Sequence, residues 1–263
     1  MGLVLEKAAG LKCFGGFLML KDRPSLLWYN FLIMRRNYSF SVGEYYHLYN
    51  RGVDKRIIFN NSYDYNRFLL LLYLCNSNEP VDLGNLLRNE GRSFSDVLSM
   101  DKGENIVAVA SYVLMPNHFH ILVKEIIEGG ISKFMEKILT GYSMYFNKKN
   151  RRTGSLFEGR FKATHVNKNE YLKYMFSYIH LNPIKLIDSN WKTDGIKNEI
   201  VIEKHLRSYN YSSYLDYLGV TRLQNKLIDR RHFPKYFSSS KSFGDFIKDW
   251  LLYKTSAEGR SFV

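Results

Sequence analysis

The stretch Ile106-Val107-Ala108-Val109-Ala110-Ser111-Tyr112-Val113-Leu114-Met115-Pro116-Asn117-His118-Phe119-His120-Ile121-Leu122-Val123 decides the fold. Its first ten residues are too β-branched for a good helix and read as a buried strand. Met115-Pro116-Asn117 turns the chain, and His118 to Val123 returns as a second strand. Upstream, Tyr45-Tyr46-His47-Leu48-Tyr49 reads as another strand, ended by the turn signal Asn50-Arg51-Gly52. Asn61-Ser62 can cap a helix in which Tyr65, Phe68, Leu69, Leu72 and Tyr73 recur at helical spacing to about Cys75. Residues 76–104 are a polar connection with short helical turns at Leu83–Leu87 and Phe94–Leu98. Downstream, Gly129-Gly130 breaks the pattern, and a helix follows from about Ser132 to Lys148, with Phe134, Ile138, Tyr142 and Tyr145 on one face.

After the basic loop Lys148–Gly154, a strand is expected through Leu156–Lys162. A last helix, capped between Asn167 and Asn169, runs from about Glu170 to Leu181 and stops at Pro183. The order strand, helix, hairpin, helix, strand, helix fits an α+β, ferredoxin-like antiparallel sheet better than a doubly wound one. Beyond Ile187 the chain is rich in aromatics and reads as a mostly helical extension (188–263) packed on the core. Residues 1–33 read as an upstream extension or disordered segment, with Met34 as the natural start. No internal repeat is evident.

The 263 residues carry 38 Lys+Arg against 25 Asp+Glu, a formal charge of +13, and that excess predicts a polyanionic partner. The alternative is solubility alone. With 45 % hydrophobic and 16 % aromatic residues the chain supports a packed core. Two cysteines, Cys13 and Cys75, exclude a disulfide scaffold or a cysteine-rich zinc module and point to a reducing, intracellular setting. The longest stretch free of Asp, Glu, Lys and Arg, Asn105–Val123, contains Pro116, Asn117, His118 and His120, and is a poor membrane span.

In a strand, period two puts His118 and His120 on one face and Phe119 on the other, a half-site for a divalent metal. Alone the pair is a weak signal, since such pairs also serve structure. The helix near 170–182 offers Tyr178 and Asn182, four residues apart on one face. Asn182 carries a carbonyl oxygen suited to a hard cation, and Tyr178 stands a turn away. A phenol attacks phosphorus well only when a cation polarises it. The competing reading makes Tyr174 and Tyr178 a core stripe beside Met175 and Leu181. Between the two elements, cations and rings interleave: Lys148, Lys149, Arg151, Arg152, Arg160 and Lys162 with Tyr145, Phe157 and Phe161. The cations suit backbone phosphates and the rings suit unpaired bases.

Met115-Pro116-Asn117-His118-Phe119-His120 resembles the HUH motif of single-tyrosine transposases. Tyr46-His47-Leu48-Tyr49-Asn50-Arg51-Gly52, Gly154-Ser155-Leu156-Phe157-Glu158-Gly159-Arg160-Phe161-Lys162 and Tyr178-Ile179-His180-Leu181-Asn182-Pro183 resemble their counterparts in REP-associated tyrosine transposases. The resemblance covers about residues 38–187. It implies a ferredoxin-like catalytic domain that binds DNA hairpins or palindromes and cuts single strands. Tyr178 is then the nucleophile, and His118, His120 and Asn182 hold Mg²⁺ or Mn²⁺, with His180 off that helical face. DNA contacts fall to Arg160 and Lys162, then Arg151 and Arg152, with Lys148, Lys149 and Arg51. The expected product is a 5′-phosphotyrosyl link. A cytoplasmic, DNA-associated bacterial protein follows, monomer or homodimer, with no membrane partner. The long stretch 76–104, the N-terminal extension and the aromatic tail depart from the family. Three other readings compete: a palindrome-binding or processing protein without mobilisation, an RNA-binding ferredoxin-like domain, and a hydrolase using water.

Overall fold

The computed structural model describes residues 40–253. The expected extension 1–33, with its start at Met34, lies outside the described residues. The elements are strand β1 (Tyr45–Arg51), helix α1 (Ser62–Leu74), short helices α2 (Leu83–Arg88) and α3 (Phe94–Ser99), and strands β2 (Val107–Met115) and β3 (His118–Glu125). Helix α4 (Gly130–Lys149), strand β4 (Lys162–His165) and helix α5 (Asn169–Leu181) complete the core, and α5 runs into a 3₁₀ turn, Asn182–Leu186. Helices α6 (Trp191–Asp194), α7 (Glu199–Ser208), α8 (Tyr214–Tyr217) and α9 (Ser240–Tyr253) follow.

The four strands form one antiparallel sheet in the order β2-β3-β1-β4. With helices α1 and α4 between the strands, this is the ferredoxin-like α+β arrangement that the hairpin announces. Alternation along β1 and β3 divides the core. Leu48, Phe119, Ile121 and Val123 pack under α1 and α4, while Leu122 faces the opposite layer with α5. Every residue of β2 is buried, because helices cover both sheet faces.

Local chemistry sets the element ends. Asn61, in extended backbone, accepts from the Tyr63 and Asp64 amides at 3.1 and 3.3 Å and caps α1. Gly130 opens α4 where a Cβ would stand 2.3 Å from the Ile106 carbonyl oxygen, so only glycine allows that approach. Glu125 then accepts the Ile131 amide at 2.7 Å, at the positive end of that helix.

Two expectations are corrected. The strand expected through Leu156–Lys162 is displaced: residues 156–161 are bent and keep one isolated antiparallel bridge, Phe157 to Gly52, and the strand is Lys162–His165, registered from Tyr49↔Lys162 to Tyr46↔His165. Gly154 and Gly159 take positive φ on either side of a buried plug, Leu156 and Phe157, with the Phe157 ring against Phe119. Helix α5 starts at Asn169 with Lys168 in the cap position and no side-chain cap. The Asn169 amide oxygen instead accepts the Tyr236 hydroxyl, a partner distant in sequence.

The segment after Ile187 is mostly helical and joins the α5 layer: Trp191, Ile202, Leu206, Tyr214, Phe243 and Ile247 are buried there with Met175, Phe176 and Ile179. It also closes the outer edge of β2. Leu114 donates its amide to Tyr211 O, Ser213 to Tyr112 O and Asp229 to Val109 O, at 2.9–3.0 Å. Among the described residues no helix is long and apolar enough to cross a membrane.

Candidate functional site

β3 presents His118 and His120 on the sheet face that α5 covers, and α5 lays Tyr178 over them. The Tyr178 ring stands 5.2 Å from that of His120 and 5.8 Å from that of His47, both edge-on. His118 and His120 are 5.1 Å apart, ring to ring. One turn along from Tyr178, Asn182 is 2 % exposed, and neither amide atom completes a hydrogen bond. Its amide is nonetheless close enough to affect the titration of both His118 and Tyr178. Thus four side chains named from sequence spacing converge: two from a strand, two from a helix end. His180 points away, fully buried, with Nε2 on Ser213 Oγ at 2.7 Å.

The histidines are neutral at physiological pH. Burial brings His47 down to about 4. Burial, with the nearby charges of Lys185 and Arg51, brings His118 to about 4 against the opposing effect of Asn182. His120 lies well below the ordinary range, through burial and then its neighbours His47, His118, Lys185 and Lys192. The His118 tautomer follows from its partner. Asn117 Oδ1 only accepts, so His118 Nδ1 donates to it at 2.6 Å and Nε2 keeps its lone pair. His120 Nδ1 meets His47 Nε2 at 2.9 Å, and with the proton on His120 its Nε2 is likewise left as a donor pair. Two neutral imidazoles and an orphaned buried amide oxygen are a donor set that fits a divalent cation. Among the described residues, no group of three or more His, Cys, Asp or Glu is arranged to hold a metal ion.

Burial raises the Tyr178 phenol above its ordinary value, and the Asn182 amide works against that rise. The phenol is therefore protonated at neutral pH. Lys192 places Nζ 5.2 Å from the Tyr178 ring centroid, a cation beside the hydroxyl-bearing ring.

Three residues of this site escape a reading of the sequence. His47 alternates with Tyr49 in β1, but only the β1–β3 pairing puts it against His120. Lys185 and Lys192 follow the tyrosine helix and look like ordinary solvated lysines. The turn at Pro183 is the signal that folds them back.

The basic residues divide. Arg51 lies opposite His118 in the β1–β3 register and pairs with Glu158 at 2.6 Å. Lys162 opens β4 opposite Tyr49, and Arg160, just before it, is exposed. Arg151 is exposed at the loop, whereas Arg152 is spent within that loop, donating to Asn147 Oδ1 and Ser155 O. Lys148 and Lys149 end α4, in the layer beneath the other sheet face, and Lys149 pairs with buried Asp64 at 2.6 Å.

Comparison with known proteins bears on this geometry. No curated protein matches the chain in sequence. Similar solved structures include a REP-associated tyrosine transposase bound to a REP hairpin, with 13 % identity over 72 % of this chain and 88 % of that one at a TM-score of 0.43. Another is the tRNA(His) guanylyltransferase of Saccharomyces cerevisiae, with 10 % identity over 78 % and 87 % at a TM-score of 0.32. Residues 88–182 match the family model described as "Transposase IS200 like", a span that holds β2, β3, α4, β4 and α5 with both histidines, the tyrosine and Asn182.

Proposed function

We propose that the protein is a DNA transposase that cuts and rejoins single strands beside hairpins through a covalent tyrosine intermediate. The observation that carries this is the convergence of Tyr178 on the neutral His118–His120 pair with the orphaned amide of Asn182 beside them. A buried phenol with a raised pKa is a poor nucleophile by itself, and the groups around it supply what it lacks.

Strand cleavage is written as one displacement. Tyr178 Oη forms a bond to the scissile phosphorus, the P–O3′ bond breaks, and the phenolic proton is lost as the 3′-oxygen leaves and is protonated. The product is a 5′-phosphotyrosyl link and a free 3′-OH. Attack by a second 3′-OH reverses the step with the phosphodiester energy retained. His118, His120 and Asn182 would hold Mg²⁺ or Mn²⁺, which supplies Lewis acidity toward the non-bridging phosphate oxygens. His47 keeps the His120 ring oriented through its 2.9 Å contact. Lys192 and Lys185 add positive charge where the phosphate arrives. Arg160, Lys162 and Arg51 lie where the flanking strand would cross the β1–β4 side of the sheet, and the hairpin is the expected DNA partner.

The test is a denaturation-resistant protein–DNA adduct with a labelled hairpin substrate from the protein's own genomic flank. We expect an adduct with Mg²⁺ or Mn²⁺, none after chelation with EDTA, and none in Tyr178→Phe, whose hairpin affinity stays near that of the unsubstituted protein. Tight hairpin binding without an adduct in the unsubstituted protein would leave a binding protein in its place. An adduct retained by Tyr178→Phe would remove the tyrosine from its role.

A further inference from the structure

Beneath the sheet face away from Tyr178, α1, residues 80–88 and α4 enclose a cleft of about 800 Å³, within the roughly 300–1,000 Å³ of small-molecule sites. It is separate from the tyrosine site, since α1 and α4 pack on the Phe119 face of the sheet and α5 on the other. Five cations line it, Arg67, Arg88, Lys137, Lys148 and Lys149, against the acids Asp82 and Glu136.

Two of these cations are occupied: Lys149 by Asp64, and Lys137 by the carbonyls of Ser77 and Glu79. Arg67 is different. Its guanidinium stacks 4.9 Å over the Tyr145 ring, yet Nε is buried with no hydrogen-bond partner. A buried N–H on a charged group without an acceptor is costly, and the Arg67 side chain that carries it lines the opening, where an anion would pair with the charge. Arg88 is close enough to oppose the charge of Arg67, and it folds over Gly84, where a Cβ would meet its Nη2 at 2.9 Å. Two like charges face one opening; Asp82 lies near enough to Arg67 to offset part of that charge, but no carboxylate is bonded to either guanidinium among the described residues. Leu71, Val81, Leu83 and the exposed Met144 give the wall an apolar part. A paired-guanidinium end and an apolar wall call for a ligand with an anionic group and a flat, weakly polar body.

We propose that this cleft binds a nucleoside phosphate, with Arg67 and Arg88 on the phosphate and the aliphatic wall with Met144 against the base. The segment 80–88, part of the long polar connection between α1 and β2, forms one side of it. The inference goes beyond the strand-transfer reading and does not need Tyr178. The nucleoside phosphate comes either free or as a unit of a DNA strand.

Photolabelling of the full chain separates these sources, with 8-azido-dATP as the free nucleotide and a single strand carrying 4-thiothymidine as the polymer. Labelled peptides are mapped by mass spectrometry. We expect label on peptides containing residues 80–88 or 136–149, and a fall of roughly tenfold or more in Arg67→Met and in Arg88→Glu, as for loss of a charge-assisted bond. Label from the nucleotide identifies a small-molecule site, and label from the strand alone a second strand contact. Label elsewhere, no label from either probe, or undiminished label in a variant that melts as the unsubstituted protein does overturns the proposal. Arg88 is exposed on a short helix, so Arg88→Glu decides the matter if Arg67→Met fails to fold. Adduct formation is assayed on the same samples. With the hairpin and Mg²⁺ added to the same protein preparation, hairpin binding without an adduct, the cleft being labelled, sinks the tyrosine chemistry and leaves the cleft.

Discussion

Asn182 shows how a single residue is placed against its own stability. Both atoms of its amide are buried and unpaired, which costs on the order of 1–3 kcal/mol. Replacing it by leucine, which has the same branched heavy-atom skeleton, removes the unpaired groups. Asn182→Leu is therefore expected to raise the urea midpoint by roughly 1 kcal/mol of stability while abolishing the DNA adduct. A midpoint that falls would show that the amide is satisfied in the folded protein. Asp64 is the opposite case. Burial alone would lift its carboxyl, but Lys149, the Tyr145 hydroxyl and the Asn60 amide outweigh burial and hold it below the ordinary value. Its folded pKa lies below the unfolded one, so its contribution is present above the unfolded value and is lost as pH falls through the folded one. Asp64→Asn should lower stability at pH 7 and flatten the loss between pH 5 and pH 3 relative to the unsubstituted chain, read from urea midpoints at each pH. Equal slopes would take Asp64 out of the acid response.

At the scale of elements, β3 does two jobs with one alternation. Phe119, Ile121 and Val123 anchor the strand in the core under α1 and α4, and so His118 and His120 are held on the opposite face. Phe119 is fully buried, and Phe119→Ala should cost about 3–5 kcal/mol by the large-to-small rule. Because the strand carries both histidines, adduct formation should fall even at temperatures where the variant stays folded. Full activity in a destabilised but folded Phe119→Ala would mean that the anchor does not position the site. The edge strand β4 behaves differently, and its basic approach is a matter of surface charge. Arg160→Ala with Lys162→Ala should reduce the salt slope of hairpin binding by about 0.7–0.9 for each phosphate left without its cation. An unchanged slope would move the strand path away from β4.

At the scale of the molecule, the segment after Ile187 is part of the core. Tyr211, Ser213 and Asp229 bond the free edge of β2, and Trp191, Phe243 and Ile247 cover α5. A chain ending at Ser208 would expose both an unpaired strand edge and the apolar side of the tyrosine helix. Such a chain should aggregate or bind a hydrophobic dye strongly. A monomeric, dye-silent truncation would show that residues 209–253 are dispensable to the core.

The hairpin 106–123 was legible because two signals agreed, β-branched density before Pro116 and period two after it. The helix stripe at Phe134, Ile138 and Tyr142 was legible for the same reason, since local period and burial coincide. Where local preference meets a stronger distant partner, it yields. Leu156 and Phe157 look like strand residues, but both are buried as a plug between two bent glycine positions, and only Phe157 keeps a bridge, to Gly52. Asn169 looks like a cap, but Tyr236 takes its oxygen. The pattern of the chain alone determined the ferredoxin-like order and the spacings that put His118 with His120, and Tyr178 with Asn182, each on one face, because periodicity acts within an element. Tertiary structure decided that those two faces meet, that His47, Lys185 and Lys192 join them, and that Lys148 and Lys149 line a second cleft. Such contacts join residues far apart along the chain, and only packing brings them together.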